Sequence, residues 1–383
     1  MPVALVNGRV LLDHGLADDR AVLIEGAKIV DVVAREDARV RSAETVDLHG
    51  GILAPGFIDA QVNGGGGVLF NDAPNVEGIR RIAAAHRRFG TTGLLPTLIS
   101  DGPETMREAI AAAATAIDAG VPGVLGIHLE GPFLAPGRKG IHDADRFRAP
   151  DARDVDLVGS LSRGVTLVTL APERVSEQVL SELVARGVIV AAGHTAATYA
   201  EVHAALAAGL RGFTHLYNAM TPLGSREPGV VGAALEDSAS WCGVIVDGHH
   251  VHPAALRLAL AAKPVGKVFL VTDAMPPVGA GDDTFRLNGE LITCRDGLCT
   301  NAAGTLAGSA LDMATAVRNA VSMLRIPLVE ALRMASTYPA AFLRLDGSRG
   351  RIVADYTADL VLIDDEVRVR ATWIAGQMQT HSS

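Results

Sequence analysis

Cysteine is scarce in this chain: Cys242, Cys294 and Cys299 are the only three in 383 residues, with no C-x-x-C spacing among them. That pattern argues against a disulfide framework and against a thiolate zinc site, and a reducing compartment is the simplest expectation. Positive charge is also short, with 34 Lys and Arg against 43 Asp and Glu and a net charge of −9. Nucleic acid and anionic membranes are held by clustered Lys and Arg, so neither is an expected partner. Any anionic ligand must therefore be held by a local site. No apolar run approaches a membrane span, and residues 1–8 lack the basic stretch and apolar core of a secretory leader, so a cytoplasmic protein is expected. Nucleotide fingerprints are missing as well. No G-x-G-x-x-G opens a helix, and Gly64-Gly65-Gly66-Gly67 lacks the Lys-Ser/Thr ending of a P-loop. The glycine run reads instead as a tight turn or a flexible loop beside a site.

What the chain has is apolar bulk: 49% of residues are apolar and 20% charged, the composition of a packed protein large enough for one big domain and a smaller one. Residues 1–53 read as short strands separated by turn chemistry such as Asn7-Gly8 and Glu25-Gly26, and residues 346–383 return to the same texture. Neither end suffices for a core, so the two are expected to pair into one small β-sandwich domain with the middle inserted between them. Residues 54–345 alternate apolar strands, Gly- or Pro-marked loops and Ala-rich helical stretches at 79–89, 105–119, 177–186, 199–208, 253–262 and 310–323. Strands such as 165–170 and 268–271 are apolar throughout, as in a parallel sheet covered on both faces. The fold class is α/β, and the alternation predicts a (β/α)8 TIM-like barrel, with a doubly wound sheet as the alternative.

Four polar residues each close a short apolar run: Glu130 in His128-Leu129-Glu130-Gly131-Pro132, His194 after residues 188–193, His215 in Phe213-Thr214-His215, and Asp273 in Leu270-Val271-Thr272-Asp273. One such residue is as readily an ordinary buried polar group satisfied by a hydrogen bond. Four in the same setting, spaced widely enough for a helix and a strand between them, are the N and O ligands of a catalytic divalent metal gathered at strand ends. The arrangement points to metal-assisted hydrolysis.

These segments, with Pro55-Gly56-Phe57-Ile58-Asp59, Thr214-His215-Leu216-Tyr217-Asn218-Ala219-Met220, Asp247-Gly248-His249-His250 and Leu306-Ala307-Gly308-Ser309, resemble the N-acetylglucosamine-6-phosphate deacetylase family of the amidohydrolase superfamily along essentially the whole chain. The resemblance implies hydrolysis of N-acetyl-D-glucosamine 6-phosphate to D-glucosamine 6-phosphate and acetate, in amino-sugar catabolism or cell-wall recycling. It implies one divalent metal ion per subunit, held by Glu130, His194 and His215 with an open position for water. Zinc is the first choice, and iron, manganese or cobalt also suit an N/O site. Asp273 is implied as the acid/base, and His142, in Arg138-Lys139-Gly140-Ile141-His142, as the donor to the developing oxyanion. Where two-metal relatives carry H-x-H this chain has Gln61-Val62-Asn63, poor ligands for a transition metal, so one metal is expected rather than two.

For the substrate, the resemblance implies Asn218, Ala219, Arg226 and His250 at the phosphate. Backbone contacts are implied from Ile141, Leu306, Ala307 and Gly308, and so is a homodimer in which a neighbouring subunit supplies one phosphate contact. Taken alone, Arg226 reads as a solvated loop charge paired with Glu227. His128 shares a strand face with Glu130 and reads as support of the metal or as barrel packing. His14, His49, His86, His203, His252 and His381 are expected to be surface or local structural groups. N-acetylgalactosamine 6-phosphate is the alternative substrate. A catalytically inactive amidohydrolase-like assembly protein, expected to lack some of these ligands, is the alternative class.

Overall fold

Eight parallel strands follow one another around a barrel in chain order: Phe57–Val62, Thr91–Ile99, Gly126–Glu130, Val165–Leu170, Ile189–Ala192, Gly212–Phe213, Trp241–Val244 and Val268–Leu270. The structure is a computed structural model and describes residues 2–381. Just beyond the last strand a parallel bridge between Val62 and Ala274 joins it to the first, with Asp273 N donating to Gln61 O at 3.0 Å and Asn63 N to Ala274 O at 2.9 Å. Asp59 ties the same seam from within the barrel, its carboxylate accepting from the Thr272 hydroxyl at 2.5 Å and from the Gln61 and Thr272 amides.

A helix follows each strand, as a parallel crossover requires: Val76–Arg87, Pro103–Asp118, Ala152–Val158, Glu177–Ala185, Tyr199–Ala207, Gly229–Glu236, Pro253–Ala262 and Met313–Leu324. Local chemistry sets their starts. Thr198 and Glu201 form a capping box, and Asn75 and Asp312 cap the first and last of the eight. Ile79, Ile82, Ala83 and His86 are buried in Val76–Arg87 at helical spacing, which lays one stripe on the barrel. Gly229–Glu236 escapes sequence periodicity because six of its eight residues are buried and two are Gly, so no polar face marks it.

Two features depart from expectation. After the eighth strand the chain forms an antiparallel sheet, Thr284–Leu287, Glu290–Arg295, Leu298–Thr300 and Leu306–Ser309, before entering its helix. Within it Cys294 and Cys299 are cross-strand partners joined by a disulfide, which corrects the expectation of unpaired thiols and removes its support for a reducing compartment. The Asp296-Gly297 turn places the two cysteines opposite one another, a relation set by hairpin register and not by C-x-x-C spacing. Cys242 is free and buried.

The chain ends form two further sheets, one of four strands from residues 3–47 alone and one of six strands drawn from both ends, Arg9–Leu12, Gly15–Ala17, Ile52–Pro55, Leu360–Ile363, Val369–Ile374 and Gln377–Thr380. Ile52–Pro55 pairs antiparallel with Leu360–Ile363, so segments some 300 residues apart in the chain share one ladder. Leu5, Val22, Ile24, Leu53, Leu360 and the fully buried Trp373 pack into their common core. No helix among the described residues is long and apolar enough to cross a membrane.

Candidate active site

Glu130 is the last residue of the third barrel strand, and His194, His215 and Asp273 lie just beyond the fifth, sixth and eighth. The last three share an unusual backbone: φ is +47° at His194, +35° at His215 and +53° at Asp273, a region that residues other than glycine seldom adopt. Each strand therefore kinks at its end and turns its side chain over the barrel mouth instead of alternating outward. Gly193 makes the approach possible, since a Cβ there would lie 2.6 Å from Thr169 Cγ2.

The result is a tight cluster. His215 Nε2 lies 2.9 Å from Glu130 Oε1 and 3.1 Å from His194 Nε2, and His194 Nε2 lies 3.3 Å from Glu130 Oε1. All three side chains are buried. The donor set fits a divalent cation. His194 Nδ1 donates to Arg138 O at 2.9 Å, which leaves its Nε2 lone pair facing the cluster. Burial by itself would raise the Glu130 pKa, and the neighbouring His194 and His215 hold it well below the usual carboxylate range. Burial by itself would lower His215, and the hydrogen bond to Glu130 overrides it and raises it. Both shifts favour an ionised carboxylate facing positive charge at the centre of the cluster. Glu130, His194 and His215 are the group of His, Cys, Asp and Glu residues that could hold a metal among the described residues.

Asp273 sits beside this cluster with its two oxygens in different states. Oδ1 accepts from Gln61 Nε2 at 3.0 Å and Asn63 Nδ2 at 2.6 Å, and Oδ2 accepts no hydrogen bond from the described residues. Gln61 Nε2 also reaches Glu130 Oε1 at 3.1 Å. Burial, reinforced by the Glu130 charge, pushes Asp273 up to about 6. His142 packs over His194 with ring centroids 4.4 Å apart. Its Nδ1 faces the Ser100 hydroxyl at 2.8 Å and accepts from Ser100 N at 3.4 Å, so the proton rests on Nε2. Burial, then the neighbouring His194, pushes its pKa down to about 3, and the ring is neutral.

These groups line one cavity of about 390 Å³ together with Ile141, Asn218, Ala219, His250, Leu306 and Gly308. Asp247 orients His250 through its Nδ1 at 2.6 Å and its backbone N–H at 2.9 Å. Two expected substrate residues lie elsewhere. Arg226 is on an exposed loop, and Glu227 instead accepts from Tyr199 N and Gly229 N. The side chain of Ala307 points away from the cavity into a cluster with Met275 and Cys294, because it alternates with Leu306 and Gly308 along its strand, so only its backbone is on offer to a substrate.

The profile of the amidohydrolase family matches residues 52–378. This chain belongs to that family. The amidohydrolase is 46% identical over 333 residues, 86% of its length and 84% of the other chain, to the N-acetylgalactosamine-6-phosphate deacetylase of Shewanella sp. (strain ANA-3). The solved N-acetylglucosamine-6-phosphate deacetylase of Pasteurella multocida covers it completely and is itself covered completely, with a TM-score of 0.96 and 34% identity. An aspartate-to-alanine mutant of the Mycobacterium smegmatis N-acetyl-D-glucosamine-6-phosphate deacetylase, solved with N-acetyl-D-glucosamine-6-phosphate, covers 99% of it with a TM-score of 0.89, 34% identity and 98% of that chain matched.

Several site features of this amidohydrolase are silent in its sequence. Gln61 and Asn63 register there only as missing metal ligands, yet both hold Asp273. Ser100 behind His142 lies in no motif, Asp247 opens the segment of His250 but has no role legible there, and Arg138 and Lys139 line the cavity from the His142 loop. His128 lies below the site, bonded to Thr97 and Thr169 within the barrel, and burial pushes its pKa down to about 4. His86 is buried and its Nε2 meets Gly64 O at 2.9 Å. That contact holds the glycine run, which forms a two-residue hairpin turn at Gly66 and Gly67.

Proposed function

We propose that this amidohydrolase hydrolyses the acetamide of N-acetyl-D-glucosamine 6-phosphate to D-glucosamine 6-phosphate and acetate. The observation that carries the reading is the meeting of Glu130, His194 and His215 with Asp273 and His142 in one cavity, in a chain similar along its length to deacetylases of such sugars. Glu130, His194 and His215 are assigned as ligands of one divalent metal, zinc by preference for a two-imidazole, one-carboxylate set, with iron, manganese and cobalt as substitutes. When bound, the metal supplies Lewis acidity, which lowers the pKa of water and polarises a carbonyl.

The protein side chains do the rest. Asp273, pinned at Oδ1 and open at Oδ2, accepts a proton from the attacking water and returns it to the departing nitrogen. His142, neutral with its proton on Nε2, donates to the carbonyl oxygen as charge builds there. Asn218, Ala219 and His250 are assigned to the phosphate, and Ile141, Leu306 and Gly308, with the backbone of Ala307 between the last two, to contacts with the sugar. Arg226 is assigned to the phosphate of a neighbouring subunit in a homodimer. Its loop is exposed and Leu223 beside it is 61% exposed, as an interface between copies would require. We assign the enzyme to the cytoplasm, a reading supported by the charge of a sugar phosphate, which does not cross an apolar membrane unaided.

The Shewanella relative supports a second reading, N-acetylgalactosamine 6-phosphate as substrate. Acetate release from both sugar phosphates and from unphosphorylated N-acetylglucosamine, on protein of measured metal content, separates the cases. Chelator-sensitive turnover of only the phosphorylated glucosamine epimer is expected. Preference for the galactosamine epimer selects the second reading, and turnover of neither with the metal site filled rejects both.

A further inference from the structure

We propose that Asn63 reads the N–H of the scissile amide and, with the same side chain, positions the group that protonates its nitrogen; this rests on the deacetylase reading above. Asn63 lies just beyond the first barrel strand, is fully buried and lines the cavity beside Asp273. Its Nδ2 donates to Asp273 Oδ1 at 2.6 Å, and its Oδ1 is buried with no hydrogen-bond partner among the described residues. The chemistry of the neighbour fixes which way the amide faces, because a carboxylate oxygen already taking an N–H from Gln61 calls for a donor and not for a carbonyl. The residue is also held rigidly: its own N–H goes to Ala274 O at 2.9 Å and its C=O accepts from Phe70 N at 2.8 Å. A buried carbonyl oxygen without a donor is costly, and in a cavity wall it marks where a ligand brings one.

A secondary amide brings one N–H to the reacting centre. In its hydrolysis water adds to the carbonyl carbon, the C–N bond breaks and its electron pair stays on nitrogen. That nitrogen takes the proton Asp273 accepted from water, leaving amine and acetate. The nitrogen lone pair must point at Asp273 for this transfer. An N–H accepted by Asn63 Oδ1 sets that direction, because Nδ2 of the same planar group holds Asp273. An ester has no N–H and would leave Oδ1 unpaired, so the arrangement selects amides over esters.

The test compares the N-acetyl sugar phosphate with the matching O-acetyl ester on wild type and on Asn63→Leu, which keeps the side-chain shape without polar atoms. Loss of the grip on Asp273 slows both substrates, whereas loss of the acceptor slows the amide alone. The amide-to-ester ratio of kcat/KM is expected to fall about tenfold in Asn63→Leu. The loss should fall on kcat, since the N–H donates more strongly as nitrogen gains positive charge. Asn63→Asp retains an acceptor but opposes Asp273, and is expected to slow both substrates with the ratio near that of wild type. Metal content and melting temperature of each variant serve as the structural readout; if Asn63→Leu does not fold, Asn63→Ala carries the same comparison. An unchanged ratio overturns the inference and leaves the deacetylase reading standing. Failure of wild type to turn over the amide overturns that reading and the inference with it.

Discussion

Asp273 is held at one oxygen and open at the other, so the proton-carrier role proposed for it turns on its charge. Without a cation, burial and the Glu130 charge place its pKa at about 6, and a positive ion at Glu130, His194 and His215 moves it down. The proton acceptor must be ionised, so turnover falls as pH drops through this pKa. The acidic limb of kcat/KM for metal-loaded protein is expected below about pH 6. An acidic limb above that value would count against Asp273. Asp273→Asn keeps the shape and removes the base, and is expected to lower kcat by about 10²–10⁴-fold with metal content unchanged. His142→Ala removes the proposed donor to the oxyanion, and a loss of about 10²–10³-fold in kcat is expected from steady-state kinetics. Because His142 is neutral down to about pH 3, this loss should be independent of pH across the neutral range.

The antiparallel insertion is the element that leans on the site from outside the barrel. Asn288 Nδ2 donates to Ile141 O at 3.2 Å on the His142 loop, and His249 Nε2 lies 3.1 Å from Asp296 O at its other hairpin turn. The disulfide inside it spans a sequence separation of only 5. So short a loop carries a chain-entropy gain of about 2 kcal/mol, and a peripheral element opens locally before the barrel unfolds. The double variant Cys294→Ser, Cys299→Ser is expected to leave the main melting transition nearly in place and to speed amide hydrogen exchange within residues 284–300. Equal exchange in the two proteins would mean the link adds nothing to this element. Its signals are present in the chain, since Asn288-Gly289 and Asp296-Gly297 are both two-residue hairpin turns. The strand and helix rhythm around them masks the hairpins, which fall between the last barrel strand and its helix.

At the scale of the whole molecule, closure of the barrel and of the end sheets sets stability. Asp59 at the barrel seam is pushed up to about 7 by burial, against the hydrogen bonds from Thr272 and Gln61. A folded-state pKa above the unfolded value means the folded form binds the proton more tightly. Its contribution is therefore complete below the unfolded pKa and is lost as pH rises through about 7. Against the neutral Asp59→Asn, wild type should lose stability at a slope of up to about 1.4 kcal/mol per pH unit through that window, measured by denaturant unfolding. A pH-independent difference would remove Asp59 as the cause. In the end sheets Trp373 is 1% exposed in a core built from both termini, and Trp373→Ala is expected to cost about 3–5 kcal/mol.

The sequence by itself determined the barrel, the pairing of the two β-rich ends and the four strand-end residues. Each of these is written in local pattern: an apolar run, a polar residue at its close, a helix cap. Only the tertiary structure decided what those residues meet. Glu130, His194 and His215 converge around a closed barrel, the two histidines where their strand ends kink through positive φ, and Asn63 meets Asp273 across a sequence separation of 210. Arg226 stands outside its own cavity and Ala307 turns from it, although both lie in recognisable motifs. Side-chain direction at a strand end depends on the register of the whole barrel, a long-range quantity that no local run of residues encodes.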